Sequence, residues 1–326
     1  MSYSRLALVL ALPLAIQTTA RAEEPTPAAD LTTAATIAPV VTPVVEAVVA
    51  EDDGDEAAEE EEAPAAGSMW VGSAGFVGTN AYIFRGINQQ TTGAIFQPWA
   101  ELGLNLYSGD SGLTALQLAA GTWASLHLDP DAAGASGPKR HYETDYYVAL
   151  RSTFAGAVGL QAMYLGYTSP NGKFATTHEF DVILNVADGV WLSEKTNGIF
   201  TGVNPKIIAA FEISGQADGG TGEGIYIEPS IYPSVTAVSS DKATLGFAVP
   251  VIAGLSASKY YESAGVDSTF GYLETGLDMS LGLGFIPAQA GAWSVVGGFH
   301  AIVHGPNTTV DKGTDLMGRG GLAVAF

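Results

Sequence analysis

The 326-residue chain carries 34 acidic and 13 basic residues, a formal net charge of −21, and no cysteine. This balance excludes a basic nucleic-acid-binding surface, and the missing cysteine excludes disulfides, thiolate metal sites and a cysteine nucleophile. Only 14% of the residues are charged and the mean hydropathy is +0.21, whereas about 25% are charged in ordinary soluble domains. The composition favours a chain that contacts lipid.

The first 22 residues have the organisation of a secretory signal peptide. Arg5 supplies a positive charge, residues 6–16 form an apolar run, and Ala20-Arg21-Ala22 fits a cleavage site. The apolar run is too short to span a bilayer as a helix. The sequence therefore predicts export, with cleavage after Ala22.

The next segment, residues 23–68, differs in composition from everything that follows. Residues 23–67 hold 13 acidic residues and no lysine, arginine or aromatic residue, so they cannot bury enough apolar surface to offset their ordering entropy. We predict a disordered acidic linker rich in Pro, Ala and Glu. Its acidic cluster at 51–62 lacks the ligand spacing of an EF-hand, which favours a solvated tether over a Ca²⁺ site.

From Met69 to Phe326 the chain alternates between apolar and polar residues with a period of two, which is typical of strands. In residues 142–154, for example, Tyr146 and Val148 fall on one face and Asp145 on the other. No apolar run is long enough to predict a transmembrane helix. Turn signals divide the region into about twelve predicted strands, near 70–84, 94–107, 112–127, 141–155, 158–168, 174–187, 203–214, 223–238, 242–256, 267–284, 291–304 and 314–326.

The length of these strands favours a membrane barrel over a soluble β-sandwich. They exceed the five or six residues that are usual in soluble sheets, and long polar loops alternate with tight turns as in outer-membrane barrels. Residues 188–202 are too long for a tight turn, so a small helix or an additional strand is expected there. Because an open sheet edge leaves amides unpaired in hydrocarbon, the predicted fold is all-β: a closed antiparallel transmembrane β-barrel of about 12 strands.

Two short segments resemble parts of bacterial outer-membrane proteins. The alternating residues that end in Phe326 resemble their C-terminal assembly signal, which implies recognition by the outer-membrane assembly machinery. Residues 80–89, which contain Tyr82, Phe84, Arg85 and Gly86, resemble the first-strand Tyr-x-Phe-Arg-Gly signature of the TorF-like family of outer-membrane porins. The resemblance implies a pore-like protein among the lipids of a Gram-negative outer membrane.

If the apolar parity of the strands faces lipid, the other parity faces the lumen. Rings of Asp and Glu favour cations, and walls of one sign concentrate counter-ions. We therefore predict passive diffusion of small hydrophilic solutes with a mild cation preference. The alternative is a non-conducting structural or surface-binding barrel that acts through its loops, of which 128–140 is the largest. The predicted pore-lining residues are Glu101, Glu143, Asp145, Arg151, Glu179, Asp181, Lys206, Glu212, Glu228, Glu274, Asp278, Asp315 and Arg319.

Aromatic residues near the predicted strand ends suit interfacial girdles. Arg85 is expected either to point into the lumen against a carboxylate or to cap the adjoining loop. The predicted girdle residues are Tyr82, Phe84, Trp99, Tyr107, Trp123, Tyr142, Tyr146, Tyr164, Tyr167, Trp293 and Phe326.

The sequence predicts neither an enzyme nor a bound cofactor or metal. No G-x-S-x-G or H-x-S-N-G motif surrounds a serine or any of the five histidines. His300 and His304 share a strand face but lie about 13 Å apart along it, and the pairs His178-Glu179 and His141-Glu143 lack a third ligand at metal-site spacing. The oligomeric state is not indicated.

Overall fold

A computed structural model describes residues 68–129, 138–220, 222–308 and 313–326. The predicted signal peptide and cleavage site lie outside the described residues, as do residues 23–67 of the predicted linker and residues 130–137 of the largest loop. These assignments therefore stay predictions.

The described chain consists almost entirely of strands joined by loops. The strands are β1 (Trp70–Thr79), β2 (Tyr82–Phe84), β3 (Ile87–Gln90), β4 (Ile95–Ser108), β5 (Leu113–His127), β6 (His141–Phe154), β7 (Val158–Thr168), β8 (Thr177–Val186), β9 (Phe200–Gly202), β10 (Lys206–Ser214), β11 (Ile225–Ile231), β12 (Ser234–Ser240), β13 (Ala243–Ala248), β14 (Val251–Ser258), β15 (Glu262–Ser263), β16 (Val266–Asp267), β17 (Phe270–Gly282), β18 (Ala292–His304) and β19 (Thr314–Ala325). The helices are α1 (Gly189–Leu192) and the 3₁₀ turns Glu194–Thr196 and Ala288–Ala290.

Twelve antiparallel barrel strands close on themselves. The first, β1, pairs with β4 on one side and with the last strand, β19, on the other, so that Ser73 lies opposite Ala325. Pairing of β14 with both β11 and β17 completes the ring. The predicted all-β closed antiparallel barrel of 12 strands is confirmed.

Three barrel strands are each divided into two segments by a proline. The pairs β9–β10, β11–β12 and β13–β14 are separated at Pro205, Pro233 and Pro250. Proline has no N–H to donate to the ladder, so the regular pairing stops at these points. Local backbone hydrogen bonds bridge the gaps, for example from the Tyr232 N–H to the Val203 carbonyl at 2.8 Å.

The connections separate into two rims. The loop rim carries the long connections 80–94, 128–140, 169–176, 215–224, 259–269 and 305–313. The turn rim carries 109–112, 155–157, 187–199, 241–242 and 283–291, together with the start of β1 and the end of β19. The long connection predicted at 188–202 contains both expected features, since α1 and a 3₁₀ turn precede β9, which pairs with β12.

The outer surface of the barrel is apolar and the inner surface is polar. On β6, for example, Tyr146 and Val148 are 44% and 50% exposed, whereas Glu143 and Asp145 are 4% and 0% exposed. A closed barrel with an apolar outer band is the organisation of an outer-membrane-type barrel, because lipid solvates the outward side chains. In the described part of the chain, no helix is long and apolar enough to cross a membrane.

The predicted first strand, 70–84, is wrong at its C-terminal end. The barrel strand β1 ends at Thr79, and the chain then turns into the lumen, where β2 and β3 form a separate two-stranded sheet. We call residues 82–90 the lumen hairpin.

Candidate functional site: the lumen hairpin and its cage

The lumen hairpin has a two-residue turn at its tip. Phe84 lies opposite Ile87 in the β2–β3 ladder, and Arg85 and Gly86 between them have φ of +47° and +78°. Positive φ at both central residues is the type I′ geometry that matches the twist of a hairpin. For an arginine this conformation costs about 1–2 kcal/mol, so contacts of the tip must compensate for it.

The Arg85 side chain lies in the lumen against a carboxylate, which decides between the two placements expected from the sequence. Its Nη1 and Nη2 donate to Glu179 Oε1 and Oε2, both at 2.9 Å, and Asp181 Oδ2 lies 4.0 Å from Nη2. Nη1 also donates to the Tyr260 hydroxyl at 2.7 Å and Nη2 to the Tyr167 hydroxyl at 3.2 Å. This bidentate arrangement is the strong form of a guanidinium–carboxylate pair.

Aromatic rings enclose the same guanidinium. The Arg85 Cζ lies 4.3 Å from the ring centre of Tyr226, 5.0 Å from Phe84 and 5.3 Å from Tyr260. Stacking of a guanidinium on aromatic faces adds a cation–π attraction. We call these three rings together with Glu179, Asp181 and Tyr167 the arginine cage.

The backbone of the tip is also held. The Tyr261 hydroxyl donates to the Arg85 carbonyl at 2.9 Å, and His304 Nδ1 lies 2.8 Å from the Gly86 carbonyl oxygen. A Cβ added to Gly86 would lie 2.6 Å from the Tyr272 Cβ. Glycine is therefore required at this position both for its positive φ and for the close approach of Tyr272.

Side chains along both hairpin strands hydrogen-bond to the barrel wall. The Tyr82 hydroxyl donates to Glu143 Oε2 at 2.8 Å, and Asn88 Nδ2 donates to Asp315 Oδ2 at 2.9 Å. The Tyr142 hydroxyl donates to Gln89 Oε1, and Gln90 Oε1 lies 2.7 Å from His127 Nδ1.

One of these anchors has the connectivity of a hydrolase triad. Ser125 Oγ lies 3.0 Å from His127 Nε2, and Gln90 Oε1 lies 2.7 Å from His127 Nδ1. No hydrolase motif in the sequence indicates this arrangement. Ser125 is fully buried on the lumen side, and the His127 ring stacks on Tyr142 at 4.3 Å. A substrate carbonyl has no access to Ser125 in this arrangement, which therefore supports a packing role for the trio.

Five of the predicted pore-lining residues lie around the hairpin. Glu143, Glu179 and Asp315 accept the hydrogen bonds described above, and Asp181 lies beside Arg85. Asp145 is 0% exposed, and its carboxyl group interacts with that of Glu143. The loop-rim half of the lumen thus contains more carboxylate than Arg85 neutralises.

A second group of predicted residues lies on the wall formed by β10, β11 and β17. Glu228 Oε2 accepts hydrogen bonds from the hydroxyls of Tyr226 at 2.6 Å and Tyr272 at 3.1 Å. Lys206 Nζ lies 3.9 Å from Glu228 Oε1. Glu228 therefore connects the arginine cage, through Tyr226, to a basic side chain nearer the turn rim.

His300 is the centre of a third group. Its Nδ1 lies 2.7 Å from Glu274 Oε1 and its Nε2 lies 2.9 Å from Asp278 Oδ1. Asp278 Oδ1 also accepts from Arg319 Nη2 at 2.8 Å. These side chains form one continuous polar network across β17, β18 and β19.

The residues nearer the turn rim form a network within the wall. Arg151 donates from Nη1 and Nη2 to both oxygens of Glu101 at 2.6 Å, and from Nε to Gln161 at 2.8 Å. The Tyr147 hydroxyl donates to Glu101 Oε2 at 2.5 Å, and Gln117 accepts from Arg151 at 3.2 Å.

Glu212 lies at the loop rim and organises a loop. Its two carboxylate oxygens accept from the backbone N–H groups of Ala217 at 2.5 Å and Gly224 at 2.6 Å. The carboxylate thus fixes the start and the end of the connection 215–224.

The girdle prediction is wrong for five of its aromatic residues, which are buried in the lumen around the hairpin because their hydroxyls or ring faces find polar partners there. The other members divide between exposed Tyr107, Tyr146, Tyr164 and Phe326 and half-buried Trp99 and Trp293. The buried members are Tyr82, Phe84, Trp123, Tyr142 and Tyr167.

Sequence reasoning also missed four tyrosines around the hairpin tip, of which Tyr226 and Tyr260 belong to the arginine cage. Tyr226, Tyr260, Tyr261 and Tyr272 are all at most 4% exposed. The adjacent Tyr260-Tyr261 pair in a polar loop was the available signal, since two large rings are seldom placed in a solvated loop without packing. Within the described residues, no group of three or more His, Asp or Glu is placed to hold a metal ion.

No protein-family profile and no curated protein matches this sequence. Among solved structures, the NanC porin is 10% identical with a TM-score of 0.38, covering 77% of this chain and 98% of that chain. The translocator domain of the autotransporter NalP from Neisseria meningitidis is 12% identical with a TM-score of 0.35, covering 81% and 90%. The transport unit of AIDA-I from Escherichia coli has the same identity and TM-score, covering 81% and 92%. The barrel assignment rests on the strand register and not on these similarities, and the TorF-like membership stays a prediction.

Proposed function

We propose that the chain is an outer-membrane channel for small hydrophilic solutes that is closed by its own lumen hairpin. The observation that supports this function is the separation of the hairpin from the wall. Among the described strands, β2 and β3 pair only with each other and make no ladder with the twelve barrel strands. A segment held by side-chain contacts can leave the lumen without breaking the barrel.

The charge of the lumen supports a preference for cations. The predicted pore-lining set has ten acidic residues and three basic ones, and Arg85 adds a fourth base. The resulting formal excess of 10 − 4 = 6 negative charges favours cations within a narrow low-dielectric wall.

The apolar belt supports a location among outer-membrane lipids. In this proposal the turn rim and the linker lie in the periplasm, the loop rim faces the outside, and the assembly machinery reads the C-terminal strand. That strand is paired to its end, since the Phe326 N–H donates to the Gly72 carbonyl at 2.9 Å.

A non-conducting structural or surface-binding barrel is the second candidate. It is favoured by the complete pairing of Arg85 and Arg151 with Glu179 and Glu101, because side chains paired in this way fill space and stiffen the barrel. Excision of the hairpin separates the two candidates, since only a channel gains conductance when its closing segment is removed.

The test is conductance of the mature chain, residues 23–326, in a planar bilayer across a KCl gradient. We expect discrete steps with a reversal potential that favours K⁺. The lumen substitutions Glu228→Gln, Glu274→Gln and Asp278→Asn should weaken that preference. Asp110→Asn, at an exposed acid of the turn 109–112, is the matched control and should leave it unchanged. A folded, heat-modifiable barrel that gives no steps even after hairpin excision would contradict the channel.

A further inference from the structure

The arginine cage is a guanidinium-binding site built largely by the barrel wall. Tyr167, Glu179, Asp181 and Tyr226 belong to β7, β8 and β11, which keep their register through backbone ladders. Only Phe84, and Arg85 itself, come from the hairpin, while Tyr260 comes from the loop 259–269. Most of the site therefore remains in place when the hairpin withdraws.

The cage has a greater capacity for positive charge than Arg85 uses. Asp181 is 2% exposed, and its Oδ1 has no hydrogen-bond partner among the described residues. A buried polar group without a partner loses its hydration without compensation, so this oxygen favours a ligand that brings a second cationic donor.

The backbone conformation of Arg85 indicates that the contacts of its side chain, and not a preference for this turn, account for an arginine at this position. Asn, Asp or Gly usually occupies the first position of a type I′ turn, yet here an arginine takes φ of +47°. The bidentate pair with Glu179 and the three surrounding rings offset that strain.

We propose that the arginine cage is a binding site for small organic cations that carry a guanidinium group, and that Arg85 occupies it as an internal substitute for such a solute. This inference rests on the proposed channel, and it names the solute class that would compete with the hairpin. A solute with a guanidinium and a second ammonium group, such as agmatine, would also provide a donor for Asp181 Oδ1. Binding is non-covalent, and the solute replaces Arg85 in the cage.

The test uses Arg85→Ala in the mature chain, which empties the cage and leaves its wall unchanged. Titration calorimetry in detergent should show binding of agmatine at least about tenfold tighter than binding of tetramethylammonium, which has charge but no N–H donors. Wild-type protein should bind agmatine more weakly, because its own Arg85 competes. Adding Glu179→Gln to Arg85→Ala should abolish the difference between the two probes.

Conductance separates failure of this site from failure of the channel. If Arg85→Ala conducts and agmatine reduces the current no more than tetramethylammonium does, the guanidinium site is refuted and the channel stands. If the variant binds agmatine selectively but the barrel never conducts, even after excision of the hairpin, the site stands and the channel fails. Arg85→Gln keeps most of the side-chain volume and replaces Arg85→Ala if the latter does not fold. If both variants fold and neither binds agmatine selectively, the proposal is overturned.

Discussion

At the loop rim the lumen holds a hairpin that belongs to the connection between two barrel strands, whereas towards the turn rim it holds side chains that project from the barrel strands themselves. Each region centres on one bidentate arginine–carboxylate pair, Arg85 with Glu179 and Arg151 with Glu101. The two pairs have similar chemistry but different attachments. Arg85 is carried by a segment that has no ladder to the wall, while both members of the Arg151 pair lie on the wall.

This difference assigns different tasks to the two pairs. Breaking the Arg85 pair should release a movable segment, and breaking the Arg151 pair should weaken the wall without opening it. The strongest way to test the contrast is to remove the movable segment altogether.

Replacement of residues 82–90 by a short Gly-Ser turn should have the largest effect. Thr79 of β1 lies directly opposite Ile95 of β4, so a short connection can join these two barrel strands once the lumen hairpin is removed. We expect mean conductance in planar bilayers to rise by about tenfold or more, because a charged lumen replaces a filled one. An excised barrel that folds and conducts no better than wild type would mean that the turn-rim region is closed as well.

Glu179→Gln compared with Glu101→Gln tests the two pairs directly. Removing one charge of a buried pair costs about 3 kcal/mol or more, and both glutamates pair with a buried arginine. We expect Glu179→Gln to accelerate amide exchange in residues 80–94, with little change in the thermal stability of the barrel. Glu101→Gln should lower the thermal stability of the barrel, with little change in amide exchange at residues 80–94. Equal acceleration at 80–94 in both variants would remove the distinction between the two regions.

The barrel itself could be predicted from the sequence, because a single physical rule governs its strands. Lipid outside and polar groups inside impose a period of two on every barrel strand, so the predicted segments 141–155 and 158–168 differ little from His141–Phe154 and Val158–Thr168. The outward position of Tyr146 and the inward position of Asp145 follow from the same rule.

The lumen hairpin could not be predicted from the sequence, because its residues follow the same apolar–polar alternation as the barrel strands. Tyr82 and Phe84 continue the apolar parity of β1, and nothing in the local pattern shows that their partners lie in the lumen. The contact between Arg85 and Glu179 joins residues 94 positions apart, so it depends on barrel closure. Tyrosine is amphipathic and suits both a membrane interface and a polar lumen. For this reason the sequence predicts Tyr142 and Tyr167 in the interfacial girdle, although they are buried in the lumen.

Gly86→Ala should have an effect on hairpin exchange and barrel stability that is intermediate among these variants. Comparison with Gly112→Ala distinguishes the effect of packing from that of backbone strain. Both glycines have positive φ, but a Cβ at Gly86 meets Tyr272 while a Cβ at Gly112 meets nothing within 4 Å. Gly112→Ala should therefore cost only the strain of about 1–2 kcal/mol, measured as a loss of barrel stability. Gly86→Ala should in addition unseat the hairpin tip, detected as faster exchange at residues 80–94. Unchanged exchange there would show that Tyr272 can move aside.

The smallest effect is expected from two matched hydroxyl deletions, one on the lumen hairpin and one on the outer face of the barrel. Tyr82→Phe removes the hydrogen bond to the buried Glu143, whereas Tyr164→Phe removes an exposed one to His178 on the outer surface. Leaving a buried acceptor unpaired costs about 1–3 kcal/mol, so Tyr82→Phe should loosen the hairpin measurably in hydrogen exchange. Tyr164→Phe should be close to neutral, because Tyr164 and His178 lie on the exposed face. If the two variants behave alike, Tyr82 holds the hairpin by the packing of its ring against Trp123, and the hydrogen bond to Glu143 adds nothing.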